Sequence, residues 1–167
     1  MMASTLVTRT DYFNINTHTH IWDQNMTYVP DDTFSDTIDK NIFNEILELD
    51  DNDERNFTRS LVEEYFSIGW TTSKRMMSDL MEYEKIVFQA QKLKGSSATI
   101  GFVAVASLCG NIGEEAIRIR DASDAESMQK RRLHLRRLLI ALNNQLRATE
   151  GVATRCCQES VPKQGIP

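Results

Sequence analysis

The stretch that decides the fold is Ala90-Gln91-Lys92-Leu93-Lys94-Gly95-Ser96-Ser97-Ala98-Thr99-Ile100-Gly101. It belongs to a segment, residues 85–101, that reads as a helix ended by Gly101 as a C-cap glycine. With Gln91 at zero and 100° per residue, Lys94 falls at about −60°, Gly95 at about +40° and Ala98 at about −20°. Leu93 and Ile100 fall at about 180° to 200°, where a core should lie. One face thus carries a central amide side chain, a cation one turn on and two small residues. A mid-helix glycine costs ~1 kcal/mol against alanine. Either a surface kept bare for the close approach of another molecule or tight packing by a neighbouring helix offsets that cost.

Working outward, the flanking segments also read as helices. Asp39 caps a short first helix through about Leu49, with Ile42, Phe43, Ile46, Leu47 and Leu49 at helical spacings. The acidic run Asp50-Asp51-Asn52-Asp53-Glu54 suits the positive end of the second helix, expected over about residues 53–80. There Phe57, Leu61, Tyr65, Ile68, Thr72 and Met76 form one expected buried stripe. A fourth helix carries the seam Val105, Cys109, Ile112, Ala116 and Ile119. Ser123 or Asp124 caps a fifth, which carries Met128, Leu135, Leu138, Leu142 and Leu146 and which Gly151 is expected to end. No alternating β-type pattern competes. Long amphipathic helices on short links pack antiparallel. The expected fold is all-α: an up-down-up-down four-helix bundle with an additional short N-terminal helix, over residues 37–151. Residues 1–36 read as an irregular N-terminal segment whose aromatics, Tyr12, Phe13, Trp22 and Tyr28, leave room for partial docking on the body. Residues 152–167, including vicinal Cys156-Cys157, read as a C-terminal tail with no assigned role.

Bulk properties narrow the function classes. The chain has 167 residues, 41% hydrophobic and 26% charged, an ordinary globular balance. A net charge of −5 argues against a nucleic-acid binder that works by phosphate neutralisation. No apolar run approaches the ~18 residues needed to span a bilayer, and the N-terminus lacks the features of a signal peptide. Cys109, Cys156 and Cys157 form no disulfide framework, so an intracellular, reducing compartment is expected. No metal-ligand cluster or cofactor motif is present, and neither a metal nor a cofactor is expected. The even mixing of charge is compatible with a monomer.

An alanine, a histidine, one variable residue, Leu-Lys-Gly-Ser-Ser and a small stretch ending in glycine make up the signature of histidine-containing phosphotransfer (HPt) domains. The run from Ala90 to Gly101 resembles it closely, with Gln91 in the place of the histidine. Upstream, Ile42-Phe43-Asn44-Glu45-Ile46-Leu47-Glu48-Leu49-Asp50-Asp51 resembles the first helix of the fungal members, intermediates of stress phosphorelays. The resemblance covers roughly residues 38–146. It implies a protein of cytoplasm and nucleus that works with receiver domains of a hybrid histidine kinase and of response regulators. In such proteins an exposed imidazole, neutral at physiological pH, takes a phosphoryl group from a receiver aspartate and passes it on. The receiver brings the aspartate and the divalent metal.

Carried onto this chain, Lys94 matches the cation that stabilises the transferring phosphoryl oxygens. Gly95 matches the position that leaves space for the partner's loops, and Ser96 one that orients the imidazole or the phosphate. Ile42, Ile46, Leu49, Phe57, Tyr65, Val87 and Phe88 match the apolar docking surface. On the fourth helix, Ser107, Asn111, Glu114 and Arg118 form a polar stripe. The glutamine and arginine that fungal relatives place there fall on Gly113 and Ile117, so that part of the pattern is missing.

Gln91 cannot carry a phosphoryl group, because its amide nitrogen is not nucleophilic. His18 and His20 lie in the N-terminal segment and His134 in the fifth helix, so none replaces it. Gln91 is then either an engineered substitution that blocks transfer while keeping shape, or the natural residue of a pseudo-HPt protein that binds receivers and inhibits the relay. From another class, the chain is a helical scaffold in which the motif is accidental. The basic run Lys130-Arg131-Arg132-Leu133-His134-Leu135-Arg136-Arg137 reads as a solvated helix face or a nuclear-import signal.

Overall fold

The computed structural model describes residues 36–50 and 55–158; expectations for 1–35, 51–54 and 159–167 lie outside the described residues. Those described form α1 (Lys40–Leu47), α2 (Asn56–Ser78), α3 (Tyr83–Thr99), α4 (Val103–Arg120) and α5 (Ala125–Gln158), with no strand among them. Helices α2 to α5 make the four-helix bundle and α1 lies across one end, as expected. Residue pairs fix the antiparallel order. Tyr65 meets Ser97 while Gly69 approaches Leu93, and Gly110 approaches Lys94 while Gly113 approaches Ala90. Helix α3 touches α2 and α4, and α5 touches α2 and α4, so α3 and α5 stand diagonally across the bundle.

The sequence builds the helix ends with side-chain caps. Asp39 Oδ1 accepts from the backbone amides of Asn41 at 3.0 Å and Ile42 at 3.3 Å, satisfying donors that the first turn leaves unpaired. Asp50 does the same for α2 from outside the helix. Its carboxylate accepts from the Phe57 amide at 2.8 Å, the Thr58 amide at 3.0 Å and the Thr58 hydroxyl at 2.5 Å. Burial pushes the Asp50 carboxyl up, but these hydrogen bonds and Arg55 outweigh it and hold it below the usual carboxylate range. Asp124 Oδ1 caps α5 through the Ser127 amide at 2.7 Å.

At the C-terminus of α3, Gly101 adopts φ +80°. The Gly101 amide donates to the Ala98 carbonyl and the Phe102 amide to that of Ser97, a Schellman ending. A Cβ at Gly101 would also lie 3.0 Å from the Asp39 carbonyl oxygen, so a glycine is required twice over. The Asp39 amide donates back to Gly101 O at 2.7 Å, which fastens α1 onto the α3–α4 turn. Below that turn Phe102 is fully buried, with ring centroids 4.9 Å from Tyr65, 5.3 Å from Phe66 and 5.8 Å from Phe43.

Two expectations need correction. The buried face of α2 is Thr58, Val62, Tyr65, Phe66, Gly69, Ser73 and Met76; Phe57 and Ile68, expected in the stripe, are exposed. The true seam is hidden because small and polar residues hold core positions. Gly69 admits Leu146, whose Cδ2 lies 3.3 Å from where a Cβ would stand, and Ser73 donates to Asn143 Oδ1 at 2.8 Å. The second correction concerns Gly151, which does not end α5. The helix runs on to Gln158, and Val152, Ala153 and Cys157 beyond the glycine are buried. Arg55 donates to the Cys156 carbonyl, tying that last turn to α2. Packing of this extension offsets the ~1 kcal/mol cost of an internal glycine, so residues 152–158 belong to the bundle and the cysteines lie in a helix rather than a tail.

Candidate functional site

Helix α3 divides cleanly. Its inner face buries Ile86, Ala90, Leu93 and Ser97, while Gln91, Lys92, Lys94, Gly95 and Ser96 are exposed. The inner face is held by more than apolar contact. Ser97 Oγ donates to the Leu93 carbonyl at 2.5 Å and lies 2.6 Å from the Tyr65 hydroxyl. The serine proton is used on Leu93, so the tyrosine donates to Ser97. Burial raises the Tyr65 phenol far above its ordinary value.

The outer face is unencumbered. A Cβ at Gly95 would meet nothing within 4 Å, so helix packing does not explain this glycine; it leaves open surface. Lys94 reaches toward α4, where Gly110 makes room for it. From the Cβ position of Gly110, Lys94 Nζ is 3.5 Å away and Cδ 3.9 Å. The stem lies along α4 while the side chain remains exposed. Cys109, next to Gly110 but turned inward, is pushed up to about 12 by burial, with Lys94 pulling the other way.

Ser96 is exposed but turned back on its own helix, its hydroxyl 3.2 Å from the carbonyl oxygens of both Lys92 and Leu93. Phe88 is 61% exposed, and Lys92 Nζ sits 5.1 Å over its ring, a cation–π contact. By helical phase Phe88 and Lys92 border the α2 side of Gln91, whereas Val87 and Lys94 border the α4 side. Gln91 is thus an exposed polar centre with an aromatic on one flank and a cation on the other.

The expected docking residues separate. Leu49, Phe57 and Phe88 are well exposed, Ile46 and Val87 are half-buried against the core, and Ile42 is half-buried beside Gly101. Tyr65 is buried and must be removed from the surface: it points at Ser97 and stacks edge-on to Phe66 and Phe102. Ile68, assigned to the core from its spacing, is 54% exposed instead. It lies about 60° around α2 from Tyr65, on the side that borders α3. Gly110 is absent from the site expected from the sequence; its one signal there is a mid-helix glycine, shared with Gly69, Gly95 and Gly113.

On α4, Arg118 pairs with Glu114 at 3.3 Å and Glu115 at 3.4 Å. Glu115 is buried and also meets Arg131 of α5 at 3.4 Å. That cluster joins α4 to α5. In the basic run, Lys130 pairs with Glu126 at 2.7 Å and Arg132 Nε donates to the Tyr83 hydroxyl at 2.7 Å; His134 is exposed on the same helix. Among the described residues, no three His, Cys, Asp or Glu side chains gather to hold a metal ion, and no helix is long and apolar enough to cross a membrane.

Fold and site together define a class: a four-helix bundle that presents an open Gln–Lys–Gly face on its second long helix. No family model matches the chain. The chain is similar to multistep phosphorelay regulator 1 of Schizosaccharomyces pombe, 34% identical over 87 residues, covering 50% of this chain and 30% of that protein. The chain therefore matches less than a third of that relative's length.

Proposed function

We propose that the chain is a phosphorelay protein of the HPt type that binds receiver domains through the α1–α3 face centred on Gln91. The observation that carries this is the outer face of α3. Gln91 is exposed, Lys94 is laid beside it over Gly110, and the space above Gly95 is open. A partner that brings a phosphorylated aspartate needs room for its backbone and a cation near the phosphoryl oxygens. The similarity to a phosphorelay regulator supports the same reading. Leu49, Phe57, Phe88 and Ile68 supply exposed apolar area for docking.

With histidine at position 91 the chain would relay a phosphoryl group from the receiver of a hybrid histidine kinase to a response regulator in stress signalling, between cytoplasm and nucleus. With Gln91 it is transfer-dead, because an amide nitrogen lends its lone pair to the carbonyl and cannot attack phosphorus. A receiver-binding inhibitor of the relay is the second reading, and Gln91 itself favours it. Binding and phosphotransfer assays with a phosphorylated receiver domain test both. Gln91 and the Gln91→His variant should both bind, and only the variant should accept phosphate. A variant that binds without accepting phosphate assigns the chain to inhibition; absence of binding by either contradicts the proposal.

A further inference from the structure

The outward face of α5 combines exposed apolar side chains with arginines. With Leu142 of the core at zero, Leu133 and Ile140 fall at about 180° and 160°, pointing straight out. They are 53% and 50% exposed. Arg136 and Arg147 lie on one flank at about 120° and 140°, and Arg137 on the other at about −140°. These three exposed arginines make no hydrogen bond or ion pair among the described residues. Their neighbours Lys130 and Arg131 are held by Glu126 and Glu115. Single exposed aliphatics are ordinary. Two of them a heptad apart, flanked by unpaired guanidinium groups on a chain of net charge −5, form a local positive, apolar seat. Because α3 and α5 are diagonal, this seat faces away from Gln91 and is independent of the function proposed for that face.

Charge selects the occupant. A second copy docked face to face would set arginine against arginine. A nucleic acid would meet a chain of the wrong overall sign and leave Leu133 and Ile140 without an apolar partner. The complementary chemistry is in this sequence. Residues 1–35 contain Asp11, Asp23, Asp31 and Asp32 against one basic residue, Arg9. They also contain Tyr12, Phe13, Trp22, Tyr28 and Phe34.

We propose that the Leu133–Arg147 face of α5 is the docking site of the chain's own acidic, aromatic N-terminal segment, residues 1–35. Guanidinium groups pair with carboxylates in bidentate geometry and stack on aromatic rings, and the two aliphatics seat an aromatic side chain. Reach is ample. Residue 36 lies next to α1, at the end of the bundle where Arg55 meets Cys156 near the end of α5. From Cys156 to Leu133 is about 35 Å along the helix, whereas 35 extended residues span up to about 115 Å. Tethering supplies an effective concentration in the millimolar range, so weak contacts suffice. In this arrangement the Gln91 face stays open while the segment is docked.

The test places the photo-crosslinker p-benzoylphenylalanine at Tyr28 in the full chain, irradiates at low concentration and maps products by mass spectrometry. Intramolecular crosslinks should land within residues 133–147. Their yield should fall about tenfold in the Arg136→Gln, Arg137→Gln, Arg147→Gln triple variant, as the loss of three partly exposed ion pairs implies. Equal melting temperatures of the two chains exclude a folding defect, since all three side chains are exposed. Crosslinks on the α1–α3 face, crosslinks between copies, no crosslinks, or an unchanged yield in the triple variant would each overturn the proposal.

Discussion

Gly95 and Gly69 are both mid-helix glycines, and they hold their places for opposite reasons. Gly69, on the seam between α2 and α5, has Leu146 Cδ2 3.3 Å from its would-be Cβ and Leu93 Cδ1 3.8 Å away. Packing accounts for it completely. Gly95, on the outer face of α3, has nothing within 4 Å, and no contact among the described residues accounts for it. The seam shows what the fold demands of its residues. The outer face of α3 is less constrained: Gln91, Lys94 and Gly95 are exposed, and of the three Lys94 rests its stem over Gly110.

The contrast can be broken most forcefully from the seam side. Phe102→Ala empties the centre of the aromatic cluster under α1 and should cost about 3–5 kcal/mol in urea unfolding. Gln91→Ala should leave the same midpoint unchanged; equal losses would abolish the distinction between the two regions. The next effect is pH-dependent. Burial raises the Tyr65 phenol and takes the Cys109 thiol from 9.0 to about 12, so both are neutral in the fold. Their folded values lie above the unfolded ones. Their stabilising contribution is therefore complete below about pH 9 and is lost as pH climbs toward 12. The urea midpoint should fall between about pH 8 and 10.5, and Cys109→Ala should shrink that fall; a midpoint that rises would contradict the burial account.

Tyr65→Phe removes the hydroxyl that donates to Ser97 and should cost about 1 kcal/mol, with receiver binding unchanged because the ring is not on the surface. The smallest effect separates the glycines. Gly95→Ala should stabilise the fold by about 0.5–1 kcal/mol through helix propensity while weakening receiver binding. Gly69→Ala should show no such gain, because the added methyl presses on the buried Leu146. A stabilised Gly95→Ala chain that binds a receiver as well as before would leave the glycine unexplained.

Much of this was legible in the sequence. Helix number, order and class follow from apolar periodicity, and caps at Asp39 and Gly101 follow from turn chemistry; between Ser123 and Asp124 the structure selects Asp124. The seam of α4 was read correctly because every member is apolar or small in strict helical spacing: Val105, Cys109, Ile112, Ala116 and Ile119 are all buried. The seam of α2 was misread because Thr58, Gly69 and Ser73 occupy core positions that hydrophobicity does not mark, while Phe57 and Ile68 advertise a face that is exposed. Tyr65 stands both in the buried stripe expected of α2 and on the docking surface that the resemblance implies, and the buried serine within reach of its hydroxyl decides for the core. Gly151 reads as a stop because glycine favours helix ends, and only the tertiary packing of Val152, Ala153 and Cys157 shows that the helix continues. In the candidate site, positions were legible and bearings were not. Lys94 was expected beside Gln91, but its stem resting over Gly110 depends on how closely α3 and α4 approach.

The central claim is that the outer face of α3 is the working face. The most direct measurement is amide chemical-shift mapping of the isotope-labelled chain titrated with the receiver domain of a hybrid histidine kinase. The account predicts that perturbed residues cluster on Phe88, Gln91, Lys94 and Gly95, with Leu49, Phe57 and Ile68 at the margin. Perturbations confined to other faces of the bundle, or none at saturating receiver, would contradict it.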